Sequence, residues 1–165
     1  MKIHISHRFS ASARQYWDAT RDPAYDAQLG RAAEVDFTVL AKEDRGAVAY
    51  ARTRVSPRKE LPLLAQKALG AARFTYVQEN ETNDGTMTTT WRVIPDVLSD
   101  KVKCSGVSRV IDVPGGCERI IEGELTVSIP FVGGTIEKHV MEQLERSYAR
   151  GADVAREFLA RASNA

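Results

Sequence analysis

Residues 117–162 read CERIIEGELTVSIPFVGGTIEKHVMEQLERSYARGADVAREFLARA. The first part alternates: Ile121, Leu125, Val127 and Ile129 oppose Glu118, Glu122, Glu124 and Ser128, so one face of a long strand is dry and the other wet. After Pro130-Phe131-Val132-Gly133-Gly134 the period changes to that of a helix from about Thr135 to Ala162, uninterrupted by proline. Its apolar stripe is Ile136, Val140, Leu144, Tyr148, Ala152, Ala155, Phe158 or Leu159, and Ala162, while Glu142 to Arg146 and Glu157 to Arg161 pair on a solvated face. Such a helix spans roughly 42 Å at 1.5 Å per residue, close to the reach of a strand of about thirteen residues. A strand and a helix of matched length, each apolar on one side, are made to cover one another.

Working back from this pair, three hairpins precede it. One turns at Pro114-Gly115-Gly116 between Lys101–Val113 and Cys117–Pro130. Another turns at Asp84-Gly85, a two-residue signal that pairs Asn83 with Thr86, Tyr76 with Val93 and Gln78 with Trp91. In this register Phe74 and Tyr76 share a face with Met87, Thr89, Trp91 and Val93. A third joins Val35, Phe37, Val39 and Ala41 on one face, through Glu43-Asp44-Arg45-Gly46, to Ala47–Val55. Strand Lys2–Phe9 opens the chain. Ser10 or Ser12 then starts a short helix with Ala13, Tyr16, Trp17 and Thr20, and Asp22-Pro23 restarts a second through Leu29. Leu61, Leu63, Leu64, Ala65, Ala68 and Leu69, between Pro57 and Gly70, form a short helix or a lid-like loop. The expected fold class is α+β: a seven-stranded antiparallel sheet curved around the long C-terminal helix, with two short helices after strand one.

Composition narrows the function classes. The chain has 165 residues, 23 Lys+Arg against 22 Asp+Glu, and 43% hydrophobic residues. That is enough to bury roughly 70% of the extended chain's surface as one domain. A net charge of +1 gives no nucleic-acid signal. No run of apolar residues is long enough to cross a bilayer, and Met1-Lys2-Ile3-His4 lacks the apolar core of a signal peptide, so a soluble, cytoplasmic protein is expected. Cys104 and Cys117 form neither a disulfide framework nor a zinc pattern. No GxSxG, P-loop, GxGxxG or HExxH motif occurs, so no catalytic residue, metal or cofactor is assigned.

The stretch Phe9-Ser10-Ala11-Ser12-Ala13 through Tyr16-Trp17-Asp18 to Asp22-Pro23-Ala24-Tyr25 resembles the opening of the START-like (SRPBCC) superfamily of polyketide cyclases, pollen-allergen-type ligand carriers and lipid-transfer domains. The ending Ile129-Pro130-Phe131-Val132-Gly133-Gly134-Thr135-Ile136-Glu137-Lys138 is similar to an uncharacterised bacterial branch of it, and more distantly to PRELI-type phospholipid carriers. The resemblance implies the helix-grip fold over residues 1–165 as one domain. It also implies a cavity for a hydrophobic small molecule (a lipid, fatty acid or polyketide-like compound) between sheet and helix. A cyclase or dehydratase using the same cavity, with His7 or Tyr76 as acid or base, and a ligand-free scaffold acting on another protein are the alternatives.

Candidate ligand residues follow from the faces. His7 alternates with Ile3, Ile5 and Phe9, where it either touches a ligand or is satisfied within the core. Arg109 alternates with Val107, Ile111 and Val113, and an arginine on a dry face needs an anion, from a ligand or from Glu79 or Glu122. Arg119, near the turn, is a weaker version of the same idea. Phe37, Phe74, Tyr76, Met87, Trp91 and Tyr148 line an aromatic pocket or fill a core. The stripe turns small at Gly151, Ala152 and Ala155, allowing either close packing or open space. Arg52, Arg54, Arg58 and Lys59 beside Leu61, Leu63 and Leu64 suit transient docking on an anionic membrane, and equally a solvated strand end followed by a cap on the cavity. The oligomeric state is not encoded in any of these patterns.

Overall fold

A computed structural model describes residues 1–61, 63, 66–67, 70–131 and 133–164. Strand β1 (Lys2–Phe9) is followed by α1 (Ala13–Ala19) and α2 (Pro23–Ala33). Then come β2 (Val35–Arg45), β3 (Val48–Pro57), β4 (Tyr76–Asn83), β5 (Thr88–Pro95), β6 (Val102–Val113), β7 (Gly116–Val127) and a final helix, α3 (Gly133–Ser163). The strands form one antiparallel sheet in the order β1-β7-β6-β5-β4-β3-β2. This is the helix-grip α+β architecture. Of the apolar stretch between Pro57 and Gly70, Leu64, Ala65, Ala68 and Leu69 lie outside the described residues. No described helix is long and apolar enough to cross a membrane.

Local chemistry explains the element ends. Ser12 caps α1 through a capping box with Gln15, and Asp22 caps α2 with Pro23 in its first turn. Glu34, in the left-handed region at φ 54°, stops α2, four residues beyond the expected Leu29. Gly46, at φ 77°, turns the β2–β3 hairpin, so β2 runs on through Arg45 rather than ending at Glu43.

Two registers differ from expectation. Asn83 pairs with Thr88, not Thr86, which puts Tyr76 opposite Pro95 and Gln78 opposite Val93. A two-residue type I′ turn needs positive φ at both Asp84 and Gly85, and neither has it; the chain instead reverses over four residues, with Met87 at φ 49°. Tertiary bonds select this loop. The Asp84 carboxylate accepts from Trp17 Nε1 at 2.7 Å and from Arg14, tying the hairpin tip to α1. Because the slip is two residues, Tyr76, Trp91 and Val93 keep a common face. In β2, a bulge between Val39 and Ala41 moves Ala41 to the face opposite Val39.

Helix α3 closes the concave side of the sheet in two stretches. Its first half contributes Ile136, Val140, Met141, Leu144 and Tyr148 to a cluster with Ile3, Ile5, Trp91, Ile121 and Leu125. Its second half packs Ala152, Val154 and Ala155 with Phe9, Tyr16, Trp17 and Tyr25, which brings in α1 and α2. Burying a large apolar side chain contributes roughly 1.5–3 kcal/mol, so these two clusters fix where the helix lies.

Candidate ligand site

Between the two apolar clusters, the concave face turns polar. His7 on β1 pairs directly with Arg119 on β7, Arg119 pairs with Val110 on β6, and Ser108 follows one step along the same face. Arg119 donates through Nε to Ser108 Oγ at 3.3 Å, and its guanidinium lies 5.1 Å from the centre of the Tyr148 ring on α3. Tyr25, donating to the Gly151 carbonyl oxygen at 3.4 Å, holds α2 against α3 beside this group. Farther toward β5, Trp91 faces a glycine pair, Gly106 opposite Gly123. A Cβ at Gly106 would stand 2.7 Å from Trp91 Cζ2, and one at Gly123 3.0 Å, so the indole covers two positions where no side chain fits.

The electrostatics of this belt are unusual in one respect. No carboxylate among the described residues lies within salt-bridge distance of Arg119. Burial works to lower its pKa, and the hydroxyls of Tyr16, Tyr148 and Tyr25 around it outweigh that, leaving it raised and the guanidinium charged. His7 has a lowered pKa, from burial first and then from the charges of Arg119 and Arg156, with Asp153 opposing. It is therefore neutral at pH 7. Burial pushes the Tyr76 phenol up to about 12 and also raises Tyr148.

These groups nevertheless keep accessible surface. Tyr76, Arg119, Tyr148 and His7 are all half-buried rather than buried. They are thus less tightly covered than the apolar clusters on either side. Trp91 differs: it is 5% exposed, and its Nε1 is a buried donor without a partner among the described residues. A hollow of about 350 Å³ edged by Ser10, Gln15, Asp112 and Gly115 is open to solvent at the β6–β7 turn and includes none of these groups.

The sequence-predicted residues separate into those this belt gathers and those it does not. His7, Tyr76 and Trp91 lie on the concave face of the sheet, and Tyr148 packs toward it from α3. Phe74 precedes β4, its ring 6.4 Å from that of Tyr76. Phe37 is at the margin, 40% exposed, with its ring against the α carbon side of Gly30 on α2. Met87 sits in the hairpin loop and packs into the cluster of α1 and α2. Ala152 is buried in that same cluster, and a Cβ at neighbouring Gly151 would touch Leu29 at 3.6 Å. The small stripe thus serves close packing.

Arg109 requires a correction. It pairs with Thr88 and Ile120, positions on the convex face, and its Nη1 donates to Glu122 Oε2 at 2.6 Å with 43% of the side chain exposed. Strand β6 carries apolar residues on both faces: Val107 and Ile111 outward, Cys104 and Val110 inward. Hydropathy alone therefore did not reveal which side was dry. The inward arginine is Arg119, in step with Cys117, Ile121 and Leu125 on the dry face of β7. That alternation was already visible in the stretch quoted at the outset, whereas Ser108, Tyr16 and Tyr25 join the site only through pairing and helix packing. Cys104 and Cys117 are buried, and burial lifts each thiol to about 11, which leaves them unreactive at neutral pH. Of the basic segment, Arg52, Arg54 and Arg58 are paired with Glu79, Asp96 and Asp36.

The family model described as a protein of unknown function (DUF2505) matches residues 4–159. The chain belongs to the DUF2505 family. Among solved structures, TTHA0849 from Thermus thermophilus is similar at 17% identity and a TM-score of 0.70, covering 99% of each chain. The Zhui aromatase/cyclase from Streptomyces sp. R1128 is similar at 14% identity and a TM-score of 0.62, over 98% of this chain and 95% of that one. Norcoclaurine synthase from Thalictrum flavum is similar at 17% identity and a TM-score of 0.62, over 97% of this chain and 86% of that one. A search of the curated proteins finds no match. These likenesses show that this DUF2505 member shares its overall fold with those proteins.

Proposed function

We propose that the protein binds a hydrophobic small molecule (a lipid, fatty acid or polyketide-like compound) in the space between the sheet and α3, acting as a carrier or sensor. The observation that carries this reading is the Trp91 indole: a donor buried on the concave face with no acceptor among the described residues. Leaving such a group unpaired costs about 1–3 kcal/mol, a penalty removed when a bound molecule presents an acceptor there. The half-buried rings of Tyr76 and Tyr148 and the apolar side chains of Val93 and Leu144 give that molecule a mostly apolar surround. START-like neighbours that include an aromatase/cyclase and a norcoclaurine synthase are consistent with small-molecule work on this fold.

Native mass spectrometry of freshly purified protein tests the reading. A co-purifying apolar molecule, or stabilisation by members of a fatty-acid and aromatic-polyketide panel, is expected. Ligand-free protein with no thermal shift across the panel would overturn it and favour a scaffold acting through its surface. A second reading, an enzyme of the cyclase or dehydratase type, is favoured by one observation: His7 is held neutral on the concave face and is thus able to accept a proton. Loss of turnover in His7→Ala with binding intact would support it.

A further inference from the structure

Across the convex face, the arginines of adjacent strands are matched with carboxylates: Arg52 and Arg92 with Glu79, Arg109 with Glu122. Arg119 projects from the other face of β7, where its polar surroundings among the described residues are His7, the Ser108 hydroxyl and tyrosine side chains, with no carboxylate in reach. Nearby charges are engaged elsewhere. Arg156 on α3 is bonded to Asp153 and to the Arg8 carbonyl oxygen, Arg21 lies over the Trp17 ring at 3.4 Å, and Asp112 accepts from the Ala13 N–H. Arg119 therefore stands without a carboxylate partner among the described residues, between two apolar clusters.

A buried guanidinium usually has an anionic partner, and none is present among the described residues. Guanidinium also offers five donors in a planar fork suited to oxyanions, and here Ser108 takes only one of them. Resting on the reading that a small molecule occupies this space, we propose that the ligand is an amphiphilic monoanion whose single oxyanion head, a carboxylate or a group of like chemistry, sits on Arg119 while its apolar body extends past Tyr148 toward Trp91. A single oxyanion is favoured, because Arg156 is already bonded to Asp153 and the Arg8 carbonyl oxygen, and Arg21 is stacked on the Trp17 ring.

Two fluorescent probes with one aromatic skeleton separate this inference from the reading beneath it: neutral N-phenyl-1-naphthylamine and anionic 1-anilinonaphthalene-8-sulfonate. Wild-type protein is expected to bind both, the anion tighter by about tenfold or more, as suits a charge-assisted contact shielded from water. Arg119→Gln should abolish that preference and leave the neutral probe's affinity unchanged, which also reports that the fold is intact. Arg119→Lys, keeping the charge without the fork, should retain part of it. Displacement of the neutral probe by dodecanoate but not dodecanol extends the test to a carboxylate. Equal affinity for the two probes, a preference that survives in Arg119→Gln, or one that vanishes in about 1 M salt, where exposed charges are screened within ~3 Å, would overturn the assignment while leaving the site itself standing. Binding of neither probe would remove both.

Discussion

Arg109 and Arg119 stand on adjacent strands and face opposite ways. Arg109 lies half in water with Glu122 at 2.6 Å; Arg119 lies under α3 with tyrosines and a serine. On the convex side, the period of β7 delivers Glu118, Glu122 and Glu124 outward, where Arg8, Arg109 and Lys2, from β1 and β6, meet them. Such exposed pairs are screened and contribute little to stability. On the concave side the same period delivers Cys117, Ile121 and Leu125, and no carboxylate among the described residues accompanies Arg119. The difference teaches that a charge on this sheet is paired in solvent on one face and left without a counter-charge among the described residues on the other, which is what the proposed recognition role rests on.

The comparison can be broken most forcefully through the neighbours of these arginines. Ile121 is fully buried on the concave face and Ile120 half-buried on the convex one. Ile121→Ala is expected to cost about 2–5 kcal/mol in urea denaturation, and Ile120→Ala much less. Equal losses would mean that the two faces are not distinguished as described. Next, Ser108→Asp would give Arg119 the partner that Arg109 already has. It should erase the roughly tenfold preference for the anionic probe while sparing the neutral one. An unchanged preference would separate anion binding from Arg119.

Smaller effects sharpen the contrast. In ligand-free protein, Arg119→Met should keep or raise the melting temperature, since it removes an unpaired buried charge. Arg109→Met should leave it close to that of the wild type, and a large drop in Arg119→Met would make that residue structural. The smallest effect concerns His7. Its folded-state pKa is lowered from 6.5, so the unfolded chain binds the proton more readily. Its contribution is present above the unfolded value and lost as pH falls through it, so His7→Gln should flatten the stability slope between about pH 7 and 5. An oxyanion on Arg119 would offset the positive charge that depresses His7, and the His7 titration followed by NMR should move upward when the anionic probe is bound.

The fold was legible because its decisive features are long and periodic. β1 falls where the alternation of Ile3, Ile5 and Phe9 puts it, and α3 follows the stripe from Ile136 to Leu159. Registers were less legible. The Asp84-Gly85 signal was overridden because Asp84 serves Trp17 and Arg14, bonds between residues distant in sequence. The bulge at Leu40 leaves no mark in hydropathy. The placement of His7, Tyr76 and Trp91 on the concave face, and of Tyr148 on the inner stripe of α3, was readable from alternation and stripe. Arg109 was not, because Val107 and Ile111 place apolar side chains on a solvent-facing surface, where Ile111 is 39% exposed.

The two tryptophans supply the most direct measurement. Trp17 Nε1 is bonded to Asp84 outside the belt, and Trp91 Nε1 has no partner among the described residues. In a ¹H–¹⁵N NMR titration with 1-anilinonaphthalene-8-sulfonate, the Trp91 indole resonance is expected to shift and its hydrogen exchange to slow, while Trp17 stays in place. A Trp91 resonance that remains unmoved at saturation, or a response confined to Trp17, would contradict a ligand site beneath α3.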